Sequence, residues 1–398
     1  MIYVIDAPCG AGKTSSAINM INEIGGDKQF MYVTPFLPEI ERIKKSCPNI
    51  QFKDPDKHGT KLRGLHYDLG KGRNTITTHA LFRRFSKLTE ELIEAGNYTL
   101  ILDEVANVVE NVVLAEQDKE MLVKHGLISI SEEDGKVSWV KDDYDKIGKF
   151  NEIRISAESG NLYCYQKKFF LWTFPVEVFK SFKDVYILTY LFDAQIQKYY
   201  YDFYNVEFER LYVEHRSDGY FLTKKEKTYS LERYKKLIEI IDDKKLNFIG
   251  ESKTALSKNN FLKNHGLRIV AKNNVYNFFK HISKSKSRFN MWSVFDDFKR
   301  EISGKGYTKG YVAINARATN DYQHKTALAY MVNRFMRPEI GNFFRDKNIG
   351  VDEELWALSE LIQWLFRSAV RNNEKIIVYI PSKRMRDLLI SWMNGERT

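Results

Sequence analysis

Two short stretches hold residue types whose spacing suits phosphate chemistry: APCGAGKT at positions 7–14, and the Asp103-Glu104 pair that closes the apolar run TLILDE. In the first, Gly10 and Gly12 let the backbone turn so that successive amide N–H groups point inward, and a helix starting near Lys13 adds its positive end. Lys13 is then set to pair with the β and γ phosphates of a nucleotide, and the Thr14 hydroxyl to hold magnesium. Magnesium also needs a carboxylate, and an attacking water needs a base. Asp103 and Glu104 supply these roles. The candidate nucleotide-binding residues are Gly10, Ala11, Gly12, Lys13, Thr14 and Ser15, with Thr14 and Asp103 on the metal; ATP and Mg2+ are the expected cofactors.

The elements that must position these groups are visible as hydrophobic pattern. Short apolar runs bounded by polar residues read as buried strands at 2–6, 30–34, 75–78, 99–103, 185–189, 246–250, 268–271, 311–315 and 376–380. Helical segments such as SSAINMINEI, PEIERIKKS and EELWALSELIQWLF separate most of them. This alternation predicts an α/β chain with parallel sheets flanked by helices, in two tandem domains at 1–205 and 206–398. The rhythm breaks over 113–180, where a hairpin is expected around Asp134-Gly135, so this stretch reads as an elaboration of the first domain.

A chain of 398 residues with 43% apolar and 14% aromatic content has material for two packed cores. Its formal charge of +10 favours a polyanionic partner, with nucleic acid first. Cys9, Cys47 and Cys164 are far apart and form no metal-binding pattern, which fits a reduced, cytoplasmic protein. No apolar run is long enough for a membrane span.

The phosphate stretch begins with Ala7 where the general loop pattern has glycine, and A-x-x-G-x-G-K-T resembles motif I of superfamily 2 helicases and translocases. Asp103-Glu104 resembles the DExx box of that superfamily, although Val105 and Ala106 replace its usual ending. MYVTPFLPEI, with Thr34 and Pro35, resembles motif Ia. NTITTHALFRRF, with Thr77, Thr78, His79 and Arg83, resembles motif Ib. Thr189 stands in the place of motif III, Ser252 and Lys253 in that of motif IV, and Arg317, Thr319 and Asn320 in that of motif V. In DEELWALSELIQWLFRSAVR, Gln363, Arg367 and Arg371 fall at spacings that put them on one polar helical face. That set resembles motif VI, with Phe366 in the glycine position.

The resemblance implies two RecA-like P-loop domains and an ATP-dependent helicase or translocase. It implies nucleic-acid contacts through motifs Ia, Ib, IV and V, coupling through Thr189, and catalysis by Lys13, Asp103, Glu104, Gln363, Arg367 and Arg371. The pattern is also like that of helicases encoded by tailed phages. DNA, single-stranded or forked, is the first expected partner and RNA the second, with other replication proteins possible. Only six residues precede Ala7, leaving no place for an upstream base-reading glutamine, so weak discrimination among nucleoside triphosphates is expected. Two other readings remain: an NTP-driven remodelling switch that does not unwind, and a small-molecule P-loop kinase.

Overall fold

The computed structural model describes residues 1–35, 37–55, 59–141, 148–166, 168–315 and 321–397, the Asp27 side chain excepted. Contacts divide the chain into two compact units. The first comprises Met1–Asp6, Lys13–Lys225 and Arg337–Val351; the second comprises Ala7–Gly12, Glu226–Met336 and Asp352–Thr398.

In the first unit the strands run β1 (Ile2–Asp6), β2 (Gln29–Thr34), β3 (Thr75–Thr78), β4 (Tyr98–Asp103), β5 (Val109–Val112), β6 (Ile128–Ile130), β7 (Val137–Trp139), β8 (Leu162–Tyr165), β9 (Phe169–Thr173), β10 (Asp184–Thr189), β11 (Glu209–Arg216) and β12 (Gly219–Thr223). Seven of them form one sheet in the order β12-β11-β1-β10-β4-β2-β3. All neighbours are parallel except β11 and β12. Val4, Ile5, Met31, Tyr32, Leu100 and Leu102 are fully buried, as a parallel sheet covered on both faces requires. The expected divide near 205 differs from the observed one because β11 and β12 extend this sheet.

Register places the site. Asp6 lies opposite Thr189, Asp103 opposite Leu188, Val33 opposite Leu102, and Thr34 opposite Thr78. The carboxyl ends of β1, β10, β4, β2 and β3 therefore form one edge, where open α/β sheets bind their ligands.

The elaboration expected over 113–180 has its own core. β5, β9 and β8 make a three-stranded antiparallel sheet, and β6 pairs with β7 as the predicted hairpin. Leu122, Ile128, Val137, Phe150 and Phe170 fill the cluster beside them. Gly135 turns the hairpin at φ 76°, and a Cβ there would lie 2.6 Å from the Cys164 carbonyl oxygen. The helix Pro338–Arg345 packs on this side of the unit, with the Phe343 ring 5.6 Å from Tyr163 and 5.3 Å from Phe203.

In the second unit β13 (Ile238–Ile240), β14 (Asn290–Ser293), β15 (Ala327–Tyr330) and β16 (Ile376–Tyr379) form a parallel sheet in the order β13-β16-β15-β14. Trp292, Phe278, Tyr307 and Tyr379 are central to its core. Three expected strands are absent here. Residues 246–250 are a helical turn, because Asp243 accepts hydrogen bonds from the Lys245 and Leu246 amides and starts the helix Lys244–Asn247. Residues 268–271 lie in the helix His265–Asn277, whose buried positions Leu267, Ala271, Asn274 and Val275 recur at helical spacing. Residues 311–315 make a single bridge, Trp292 to Tyr311, beside β14 and go no further as strand.

Candidate functional site

β1 ends at Asp6, and the chain turns through residues 7–12 into the helix Lys13–Ile24. Gly10 and Gly12 have φ of 77° and 91°, the left-handed region that favours glycine. The Ala11 amide donates to the Pro8 carbonyl at 3.1 Å, closing the turn. The helix has no acidic residue in its first turn, so no side-chain charge there offsets the positive end of its dipole. Lys13 and Thr14 are half-buried and Ser15 is exposed, while Ser16 is buried and donates to the Lys13 carbonyl at 2.8 Å. Within the second unit, Tyr234 Oη and Arg233 Nη2 donate to the Cys9 carbonyl at 3.1 and 3.2 Å. Neither residue stood out in the sequence.

Asp6 is a second unanticipated participant. Its carboxylate accepts the Leu191 and Phe192 amides, each at 2.8 Å, and the Arg210 guanidinium at 3.3 Å. Arg210 continues to Asp193 at 2.7 Å. Burial raises the Asp6 pKa, while the Phe192 amide, Arg210 and Lys13 oppose the rise. Asp6 thus fastens the end of β1 to the turn after β10, where Leu191 adopts φ 54°. The signal available in the sequence was an acid closing a buried strand directly before the loop.

Two strands away, Asp103 accepts a hydrogen bond from Tyr32 Oη at 3.2 Å. Asp103 is half-buried, and burial together with the adjacent Glu104 pushes its pKa up to about 7, against the pull of Tyr32 and Lys13. Glu104 turns out of the strand at φ 68°, its amide held by the Leu188 carbonyl at 2.9 Å. On β10 between these strands and β1, the Thr189 hydroxyl is buried and makes no hydrogen bond among the described residues. No three His, Cys, Asp or Glu side chains cluster as a metal cage among the described residues. One hydroxyl at a helix start plus a carboxylate pair instead suits a magnesium ion that takes its remaining oxygens from phosphate and water.

The edge continues to β2 and β3. The Thr34 hydroxyl is buried without a partner among the described residues, Pro35 and Thr78 are half-buried, and Thr77 is buried. His79 Nε2 bonds the Asp103 carbonyl at 2.8 Å, which ties the turn after β3 to the end of β4. Arg83 pairs with Glu110 and lies over the Trp172 ring at 5.1 Å, so its guanidinium is engaged by the elaboration. A cleft of about 490 Å³ opens here, lined by Pro35, Leu37, Pro38, Lys61, Thr77 and Thr78 among others.

The second-unit expectations fare differently. Ser252 and Lys253 are exposed, and Arg317, Thr319 and Asn320 lie outside the described residues. Gln363, Arg367 and Arg371 do not share a helical face. The helix Glu353–Leu365 stops before the arginines; Arg367 is buried at 5% exposure, and Arg371 is exposed in the turn Ala369–Asn372. The Ala369 amide bonds the Lys325 carbonyl at 3.0 Å rather than continuing the helix. The helix itself is buried on most sides, with Leu358, Leu361, Ile362, Trp364 and Leu365 all enclosed, so no solvated polar face exists there.

With this geometry in place, comparison with known proteins identifies the lineage. The SPbeta prophage-derived uncharacterized protein YonV of Bacillus subtilis (strain 168) is 42% identical over 410 residues, spanning 100% of this chain and 99% of that protein. The chain belongs to the YonV family. The YonV middle domain matches residues 109–172, the antiparallel elaboration, and the YonV C-terminal Rossmann-like domain matches residues 232–393, within the second half. Among solved structures, the DUF1998 helicase MrfA bound to DNA and AMPPNP is similar with a TM-score of 0.35 and 11% identity, over 99% of this chain and 48% of that one. The chain thus spans about half of that protein's length, and a likeness at this level carries no argument about activity. No described helix is long and apolar enough to cross a membrane.

Proposed function

We propose that this YonV-family chain hydrolyses nucleoside triphosphate with magnesium to move along or remodel nucleic acid, with DNA first and RNA second, as a superfamily 2 type motor of two RecA-like domains. One observation carries the reading: adjacent parallel strands bring Asp6, Thr189 and Asp103 to one sheet edge in matched register, with the glycine loop next in sequence after Asp6 and Glu104 next after Asp103. Lys13 and the loop amides would hold the phosphates, Thr14 and Asp103 the metal, and Glu104 would take the proton of the attacking water. The metal, when bound, neutralises charge that develops on the transferred phosphoryl group. The prophage origin of the YonV relative suits a role in phage DNA metabolism.

The cleft at the ends of β2 and β3 supports a second ligand beside the nucleotide, which in this reading is a nucleic-acid strand on Thr77 and Thr78. At about 490 Å³ it is also large enough for a small acceptor, which keeps a P-loop kinase as the second reading. Phosphate release measured with and without single- and double-stranded DNA and RNA separates the two. Stimulation by nucleic acid supports the motor; an unstimulated basal rate supports the kinase. Strand displacement on forked substrates then distinguishes unwinding from remodelling.

A further inference from the structure

From Ser252 to Phe295 the chain contains no acidic residue and nine Lys or Arg. Removing those nine from the chain's 62 Lys and Arg leaves 53 against 52 Asp and Glu, so this segment supplies nearly all of the +10 net charge. It lies wholly in the second unit and folds as the helices Lys258–Lys263 and His265–Asn277, a π-helical turn Phe278–Ile282, and the turn leading to β14.

Internal pairing consumes only part of this charge. Lys258 pairs with Asp297 at 2.7 Å, and Arg268 with Glu301 at 2.8 Å. Among the described residues, Lys272, Lys280, Lys284 and Lys286 have no acidic partner, and all four are exposed. Leu267, Ala271, Asn274 and Val275 face the core, which turns Ile269, Lys272, Tyr276 and Lys280 outward. Lys272, Tyr276 and Lys280 follow one another at four-residue steps, so cation, ring and cation line up over about 12 Å of helix. Tyr276 is 37% exposed and meets the His281 ring edge-on at 6.3 Å.

The turn beyond is ordered. Ser283 and Ser285 hydroxyls bond each other at 2.9 Å, and Ser285 donates to Asn290 at 2.5 Å, which holds the serines inward and Lys284 and Lys286 outward.

We propose that this face is a nucleic-acid site of the second unit, where Lys272, Lys280, Lys284 and Lys286 hold the phosphates of a single strand and Tyr276 stacks on a base. A basic track with an interleaved aromatic ring matches single-strand binding without sequence reading. A membrane-surface helix would instead separate its apolar and basic faces, whereas here Tyr276 lies in line with the lysines. The site needs no nucleotide, so it stands apart from the hydrolysis reading.

The test is fluorescence anisotropy of labelled oligothymidylate and oligouridylate with the full chain, without nucleotide, over a range of salt. Changing the four lysines to Gln should weaken binding at least tenfold near physiological salt. It should also make log K against log salt shallower by about 3, at about 0.7 per phosphate contact on single strands. Tyr276→Leu should weaken binding with the slope unchanged. Changing the same lysines to Arg should restore it, which separates charge loss from misfolding. Four exposed lysines elsewhere, Lys71, Lys124, Lys236 and Lys375, serve as the charge-matched control when changed to Gln. Equal affinity and slope for the parent and the first Gln variant would overturn the site, as would an equal loss in the control. So would loss of binding to phosphatidylserine vesicles with oligonucleotide binding intact.

Discussion

Tyr32 Oη donates a hydrogen bond to Asp103 Oδ2 at 3.2 Å, from a ring that is fully buried in the sheet. The contact favours the charged form of Asp103, yet burial and the adjacent Glu104 outweigh it and push the carboxyl from 3.8 up to about 7. A raised carboxyl pKa means the folded chain binds the proton more tightly than the unfolded one. The contribution is therefore full below the unfolded value and is lost as pH rises toward 7.

Asp103→Asn, neutral at every pH, should remove that loss. In metal-free buffer near pH 8 it should melt above the parent, by a difference on the order of a few kcal/mol, and the gap should narrow as pH falls to about 5.5. Melting curves by circular dichroism at both pH values check this, and a gap that widens on acidification contradicts it.

Thiol chemistry probes the loop directly. Cys47 is buried, with its pKa pushed up to about 11, and burial also raises that of the buried Cys164, while Cys9 is partly exposed in the candidate phosphate loop. A thiolate-directed reagent should label one cysteine of the native chain quickly, and peptide mapping should place it at Cys9. Mg-ATP should slow that labelling; equal rates with and without nucleotide would move the phosphate site elsewhere.

His79 is predicted to act in stability rather than strand contact. Its bond to the Asp103 carbonyl joins two strand ends, and His79→Ala should cost about 1–3 kcal/mol in urea unfolding. Oligonucleotide affinity per folded molecule should stay close to the parent's. A stable variant that has lost affinity would reverse the assignment.

The helix Pro338–Arg345 is part of the first unit through its aromatic side chains. Phe344 is fully buried, 5.9 Å from the Tyr199 ring, so Phe344→Ala should destabilise by about 3–5 kcal/mol. Native-state hydrogen exchange should report the loss at β8, β9 and the helix Ile196–Phe203. Confinement of the effect to residues after 352 would contradict the packing.

The first half of the fold was legible because its strands are buried on both faces, and IYVID, QFMYVT and YTLILD show that as unbroken apolar runs. The second half was not. Ile269 and Val270 suggest a strand by composition, yet Asn264 accepts the Leu267 amide and starts a helix that leaves both side chains exposed. NMWS and ALAY are four residues long and carry too little pattern to stand out. The site divided along the same line. Lys13 and Asp103-Glu104 announce themselves by local spacing, whereas Asp6, Arg233 and Tyr234 act through partners distant in sequence. The contacts of Arg83 to Glu110 and Trp172 were not legible either, because those residues belong to an elaboration that no motif describes. The supposed arginine face failed because Leu365 ends its helix for a tertiary reason, the Ala369 amide bonding Lys325.

Steady-state phosphate release by the purified chain and by Lys13→Ala, with and without single-stranded DNA, tests the proposed chemistry most directly. The parent should hydrolyse ATP with magnesium, faster with DNA, and Lys13→Ala should lose about 100-fold or more while melting at the parent temperature. Hydrolysis by Lys13→Ala at the parent rate would contradict the assignment of the loop as the triphosphate site.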